Sequence, residues 1–247
     1  ISGADLVLLS VPSSSMDAIC QELAHVIDPG VPLLSTTKGI RADGFKLMSQ
    51  VLSERLPNFP VGVLSGPNLA HEIAQRHLTA TVVASESSEV RQLARDAFAT
   101  KYLRLYSSED LISVELGGAL KNIYAIAAGL ADGLDVGQNT KALLITRALA
   151  EMSRLSAHMG GNPLSFLGLA GVGDLYVTSV SPLSRNFRVG RALAEGFSLE
   201  EAEAVLGQVA EGVNTLRLVY QQCGKDDISM PILSALHDVI FGGKPVR

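Results

Sequence analysis

The chain has no tryptophan and only two cysteines, Cys20 and Cys223. Two lone thiols in 247 residues make neither a disulfide scaffold nor a thiolate metal site, and they suit a reduced, intracellular protein. Charge is scarce as well, at 18% of residues against about 25% in an average globular chain. Twenty basic against 25 acidic side chains leave a net charge of −5, which speaks against electrostatic attraction to nucleic acid or anionic lipid. Individual basic side chains can still hold small anions. A mean hydropathy of +0.27 excludes disorder, coiled coil and collagen. No unbroken apolar run reaches the roughly 18–20 residues of a membrane span. The nearest, Leu116 to Leu130, is interrupted by Lys121 and Asn122. With no charged-then-apolar leader at the front, the expectation is a soluble, cytoplasmic protein.

Several signatures of chemistry are missing too. There is no Gly-x-Ser-x-Gly elbow, no P-loop, no Cys-x-x-Cys and no Gly-x-Gly-x-x-Gly. His71-Glu72 followed by His77 lacks the i, i+4 histidine spacing of a zinc helix. The remaining histidines, His25, His158 and His237, join no cluster, so no metal is expected.

What is present divides in two. Apolar runs at Asp5–Val11, Val31–Thr36, Val61–Leu64, Thr79–Ala84 and Leu103–Tyr106 end at turn residues. Between several of them lie helical patterns, at Ser14–Ile27, Phe45–Arg55 and Ser88–Ala99. That alternation predicts a parallel sheet with helices on its faces. From Ser108 onward the strand signal stops. Long helical patterns follow at Asp110–Leu134 and Gln138–Met159, then a glycine-rich connection from Gly168 to Gly173. Shorter helices are expected near Ser184–Glu195, Leu199–Leu206, Thr215–Cys223 and Ile232–Phe241. The expected fold class is α/β followed by all-α, with the change at residues 107 and 108.

In an open parallel sheet, ligands sit beyond the carboxyl ends of the strands. Three such ends carry special residues: Val11-Pro12-Ser13, Thr37-Lys38-Gly39 and Ser65-Gly66-Pro67-Asn68. Turn chemistry alone accounts for Pro12 and Gly66, whereas Lys38 places a cation at the crevice. Lys121 is the sharpest candidate. Between Val114 and Ala131 the only charges are Glu115 and Lys121. A helix apolar all round is buried, and a buried lysine needs a partner. Desolvation lowers its pKa and suits it to exchange protons near neutrality. The bland alternative is a lysine whose ammonium reaches solvent along its own stem. Gly117 and Gly118, one turn earlier, admit a close neighbour or ligand. Ser184-Arg185-Asn186 opens a helix where a cap, free N–H groups and a cation suit a phosphate; a plain cap with a solvated arginine is the alternative. Asp174, after Gly171-Val172-Gly173, reads as either a cap or a substrate contact.

Six blocks in order, Thr37-Lys38-Gly39, Leu64-Ser65-Gly66-Pro67, Val114-Glu115-Leu116-Gly117-Gly118-Ala119-Leu120-Lys121-Asn122, Gly168-Leu-Ala-Gly-Val-Gly-Asp174-Leu, Leu183-Ser184-Arg185-Asn186 and Val209-Ala210-Glu211-Gly212, make the chain resemble bacterial NAD(P)-dependent glycerol-3-phosphate dehydrogenases from Asp5 to about Lys244. The resemblance implies interconversion of dihydroxyacetone phosphate and sn-glycerol 3-phosphate for glycerophospholipid synthesis, using NAD or NADP. It implies a partial Rossmann-like, mostly parallel sheet over residues 1–107. Residues 108–247 would form a helical substrate-binding and dimerisation domain of the 6-phosphogluconate dehydrogenase-like type, in a homodimer. By the same resemblance Lys121 is the proton donor and acceptor. Lys38, Gly66, Asn68, Lys121, Asp174, Ser184, Arg185 and Asn186 meet the substrate, and Lys38, Ala70, Arg185, Val209 and Glu211 lie at the cofactor. Asn68 departs from the family, where Ser or Thr is expected, but an amide can hydrogen-bond a phosphate. The family's opening strands and glycine-rich turn have no counterpart here. The chain is therefore expected to be a fragment that begins at the fourth strand and binds the cofactor weakly, which tight NADH binding would contradict. The competing readings are a ketopantoate or 3-hydroxyacyl-CoA dehydrogenase of the same layout, and a non-catalytic helical interaction module.

Overall fold

The computed structural model describes residues 3–206 and 211–246. Its first part is a five-stranded sheet of β1 (Val7–Leu9), β2 (Leu33–Ser35), β5 (Val61–Ser65), β6 (Thr79–Ala84) and β7 (Leu103–Ser108), in that spatial order. Helices α1 (Met16–Val26), α2 (Met48–Arg55), α3 (Ala70–Ala74) and α4 (Ser88–Phe98) connect them. β1, β2 and β5 run parallel, with Val7 beside Leu33 and Leu33 beside Val61, and β1 forms one edge. The sheet is mostly parallel, as expected; the exception is β6, which lies antiparallel to β5, with Ser65 beside Val82, while β7 runs parallel to β6. The cause is the connection. A parallel return is usually made through a full crossover helix. Here the only helix between the two strands, α3, has 5 residues.

The helical pattern expected from Phe45 starts late. Ile40–Arg41 (β3) and Lys46–Leu47 (β4) form a small antiparallel hairpin first, turned by Gly44 at φ 75° and Phe45 at φ 48°. α2 begins only at Met48.

Among the described residues every element after Ser108 is helical: α5 (Leu111–Gly133), α6 (Gln138–His158), α7 (Asp174–Val180), α8 (Arg185–Ala194), α9 (Leu199–Leu206), α10 (Glu211–Lys225) and α11 (Pro231–Phe241). The expected glycine-rich connection is itself helical. A 3₁₀ turn at Pro163–Leu167 passes into a π turn at Leu169–Gly173 that runs straight into α7.

α5 is the axis of this part. Asp110 caps it, accepting from Ser113 N at 3.0 Å, and the same carboxylate accepts from Asn162 N at 3.0 Å and the Ser165 hydroxyl at 2.6 Å. Leu116, Leu120, Ile123 and Ile126 are fully buried in the helical core, each contributing about 1.5–3 kcal/mol by leaving water. By length and composition α5 passes for a membrane span. However, 89% of its most apolar 18-residue window is buried inside the protein, as expected of a core helix. α8 crosses it with backbones in contact: a Cβ at Gly129 would overlap the Phe187 carbonyl, and one at Gly190 the Ile126 carbonyl. A second core joins α1, α2, β1 and β2 through Met16, Cys20, Leu33, Met48 and Leu52.

Candidate active site

Parallel pairing brings the carboxyl ends of β1, β2 and β5 to one edge of the sheet. Thr37 ties the first two together. Its hydroxyl donates to the Val11 carbonyl at 2.9 Å and accepts from Val11 N at 3.3 Å. Lys38 follows, and the chain then turns at Gly39 (φ 151°), where a Cβ would lie 2.6 Å from that of Ser13. At the third strand end, Gly66 has φ 155° and packs on Thr81, to which an added Cβ would approach within 3.1 Å. The Thr81 hydroxyl donates to the Ser65 carbonyl at 3.0 Å, so it can only accept from Asn68, whose Nδ2 stands 2.8 Å away. This relay assigns the amide orientation. Asn68 Oδ1 is buried and has no hydrogen-bond partner among the described residues. A buried acceptor without a partner calls for a donor.

α5 presents one face to this edge. Glu115, Gly118 and Asn122 repeat at i, i+3 and i+7, with Lys121 one position before Asn122. The buried Glu115 carboxylate accepts from Ser49 N at 3.0 Å and from the Ser49 hydroxyl, fastening the start of α2 to α5. Burial pushes its pKa up to about 7, against the opposing pull of those hydrogen bonds. Gly118 leaves room for the strand ends: a Cβ there would meet Ser65 Oγ at 2.8 Å and the Lys38 stem at 3.6 Å.

Lys121 does not reach solvent. It is 6% exposed, and its ammonium donates to Asp174 Oδ1. Burial, and then the positive charge of Lys38, pull its pKa down to about 8, while Asp174 works in the other direction. Asp174 is fully buried and opens α7. Two glycines allow the close packing around it, one against α5 and one within the turns before α7. A Cβ at Gly117 would overlap the Ala170 carbonyl, and one at Gly171 the backbone of Phe166. The second carboxylate oxygen, Oδ2, stands 3.6 Å from Lys38 Nζ, and no hydrogen bond reaches it among the described residues. Two cations thus converge on one carboxylate.

The third block lies at the start of α8. Ser184 caps it, its hydroxyl accepting from Phe187 N at 3.3 Å, and Arg185 is exposed in the first turn. Asn186 is buried, and its Oδ1 accepts from Gly212 N at 3.1 Å. Gly212 also packs on the Asn122 carbonyl, where a Cβ would come within 2.6 Å. Asn186 is thereby linked to the neighbour of Lys121. Ala70 and Glu211 are exposed first residues of α3 and α10, and Val209 lies outside the described residues. Sequence reasoning did not single out Ser49 or Thr81, whose hydrogen-bond partners lie on other elements, and gave no role to the side chains of Thr37 and Ser65. No group of three or more metal-ligating side chains occurs among the described residues.

Comparison with known proteins agrees with this arrangement. Family models described as the NAD-dependent glycerol-3-phosphate dehydrogenase N-terminus and C-terminus match residues 1–91 and 110–247. Glycerol-3-phosphate dehydrogenase [NAD(P)+] of Azotobacter vinelandii is 52% identical over 244 residues, covering 99% of this chain and 72% of the relative. The protein of the same name from Pseudomonas syringae pv. tomato is 52% identical over 241 residues, covering 98% and 70%. The crystal structure of glycerol-3-phosphate dehydrogenase from Coxiella burnetii superposes with a TM-score of 0.94 at 36% identity, over 99% of this chain and 75% of that one. A ketopantoate reductase structure from Ralstonia eutropha shares the fold alone, at 15% identity and a TM-score of 0.56 over 97% of this chain and 75% of that one. With matching models on both parts, half-identical relatives along nearly its whole length and Lys121, Asp174 and Arg185 on the matched helices, the chain belongs to the NAD-dependent glycerol-3-phosphate dehydrogenase family.

Proposed function

We propose that the protein interconverts dihydroxyacetone phosphate and sn-glycerol 3-phosphate with NAD or NADP, in glycerophospholipid synthesis. The observation that carries this is a buried lysine of lowered pKa held on a carboxylate, at the strand edge where ligands sit in α/β sheets. The residues there fit the cofactor's reactive end: Asn68 Oδ1 is an unpartnered acceptor, and Lys38 and Arg185 offer positive charge to an anionic ligand. Ala70, Val209 and Glu211 complete the proposed cofactor contacts. Residues 1–107 would form the cofactor-binding part and 108–247 the substrate-binding part, which the change from strands to helices after Ser108 supports.

When bound, the reduced nicotinamide supplies a hydride to the substrate ketone. The carbonyl oxygen then carries developing negative charge. The Lys121 ammonium stabilises that charge and delivers the proton that completes the alcohol; in the reverse direction the neutral amine takes it back. Asp174 holds Lys121 in place. The capped start of α8, with Ser184, Arg185 and Asn186, receives the phosphate, and Lys38 with Gly66 and Asn68 encloses the remaining end.

The test is oxidation of NADH or NADPH on addition of dihydroxyacetone phosphate. Lys121→Met should lower turnover by about 10²–10⁴-fold with an unchanged circular dichroism spectrum. A near-normal rate in that variant sinks the assignment of Lys121. A homodimer and a cytoplasmic location belong to the same reading. The two buried free thiols support the location, and recovery with cytoplasmic markers on cell fractionation is the expected result.

A further inference from the structure

Ser65 carries an unexplained hydroxyl. The residue is 4% exposed, and its Oγ has no hydrogen-bond partner among the described residues. It faces Gly118 of α5, at the place where the Lys38 stem also lies. Lys38 in turn reaches toward Asp174 Oδ2, which is equally without a hydrogen bond, at 3.6 Å, beyond hydrogen-bond range. A hydroxyl, an ammonium and a carboxylate oxygen with unfilled hydrogen-bonding capacity therefore gather around one turn of α5.

We propose that Ser65 is a further substrate-binding residue, its hydroxyl joining Lys38 and Asp174 around the uncharged hydroxymethyl end of a three-carbon phosphate ester. This rests on the activity proposed above. The set does not suit a phosphate: Asp174 Oδ2 repels an anion and needs a donor. A ketone or phosphate oxygen only accepts, whereas a hydroxyl donates one hydrogen bond and accepts others. The substrate hydroxyl can give its proton to Asp174 Oδ2 and accept from Ser65 and Lys38. The phosphate is thereby assigned to the opposite end, at the start of α8. Lys38, with 27% of its side chain exposed against 1% for Asp174, is the member open to solvent. A ligand enters by displacing its ammonium.

A buried hydroxyl without a partner destabilises the fold and is repaid only when something bonds to it. Structural and binding roles of Ser65 therefore leave opposite marks. The experiment compares Ser65→Ala with the unaltered protein on dihydroxyacetone phosphate and on acetonyl phosphate, in which a methyl group replaces the hydroxymethyl. Where the analogue is not turned over, its inhibition constant is read instead. Expected are a fall in kcat/KM for dihydroxyacetone phosphate of about 10- to 100-fold, a change of less than about 3-fold for the analogue, and a thermal midpoint no lower than the parent's. An unchanged rate on dihydroxyacetone phosphate, or equal losses on both ligands, overturns the assignment of Ser65 alone. Failure of the unaltered protein to reduce dihydroxyacetone phosphate overturns the underlying activity with it.

Discussion

Lys121 holds its proton loosely for two reasons, burial and the second cation beside it. Reduction uses the ammonium form as donor. In that direction kcat/KM should therefore stay level below about pH 8 and fall as pH rises through that value, while oxidation, which uses the neutral amine, should rise over the same range. Lys38→Gln removes the repelling charge but leaves burial in place. Its inflection should move upward, whatever happens to the absolute rate. pH–rate profiles of both proteins read this directly, and an inflection that stays put or moves down would contradict the shared-carboxylate geometry. Lys121 was legible in the sequence as the lone cation of an apolar helix. Its partner was not, because Asp174 lies 53 residues away and only the π turn brings it back.

At the scale of elements, the site depends on how closely helices can approach α5. Gly190 is buried on α8 with the Ile126 carbonyl where its Cβ would be, and both sides of the clash are backbone. Gly190→Ala should cost about 2–3 kcal/mol and lower Tm by about 5–10 °C, displacing the start of α8 as well. Gly224, near the end of α10, has nothing within 4 Å of an added Cβ. Gly224→Ala should be neutral or stabilising by up to about 1 kcal/mol. Thermal unfolding of the pair checks this; equal effects would mean that backbone contact does not set the α5–α8 crossing. Both glycines look alike in sequence, since the carbonyl that distinguishes them comes from another helix.

On the whole molecule, the helical part carries a run of exposed apolar side chains. Leu164 and Leu167 in the 3₁₀ turn, and Val172, Tyr176, Val180 and Leu183 between it and α8, are exposed. Isolated apolar residues on a surface are ordinary, but a run of this kind suits a subunit interface, for which about 800 Å² per partner is typical. Light scattering should return close to twice the 26.0 kDa chain mass, and Tyr176→Glu should shift the equilibrium toward the single chain. A mass of 26.0 kDa at all concentrations would end the dimer reading. Within one chain, Glu115 joins sheet to helices: a carboxylate on α5 holds the first turn of α2, and α2 follows the hairpin that begins two residues after Lys38.

Local chemistry was readable from the residues themselves. Apolar runs closed by turns marked the strands, Ser184 announced a cap, and a helix apolar all round announced its own burial. Each of these depends on neighbours a few positions away. The direction of β6, the hairpin before α2 and the helical form of Leu169–Gly173 were decided by packing, since sequence patterns do not specify which backbone lies opposite. The same holds for the site. Residue types proposed Lys38, Lys121, Asp174 and Arg185 separately, while only the tertiary structure showed one carboxylate between two lysines, an amide turned by Thr81, and the buried Ser65 hydroxyl without a partner. Pairing, protonation and unfilled hydrogen bonds are properties of distance, and distance between remote segments exists only once the chain has folded.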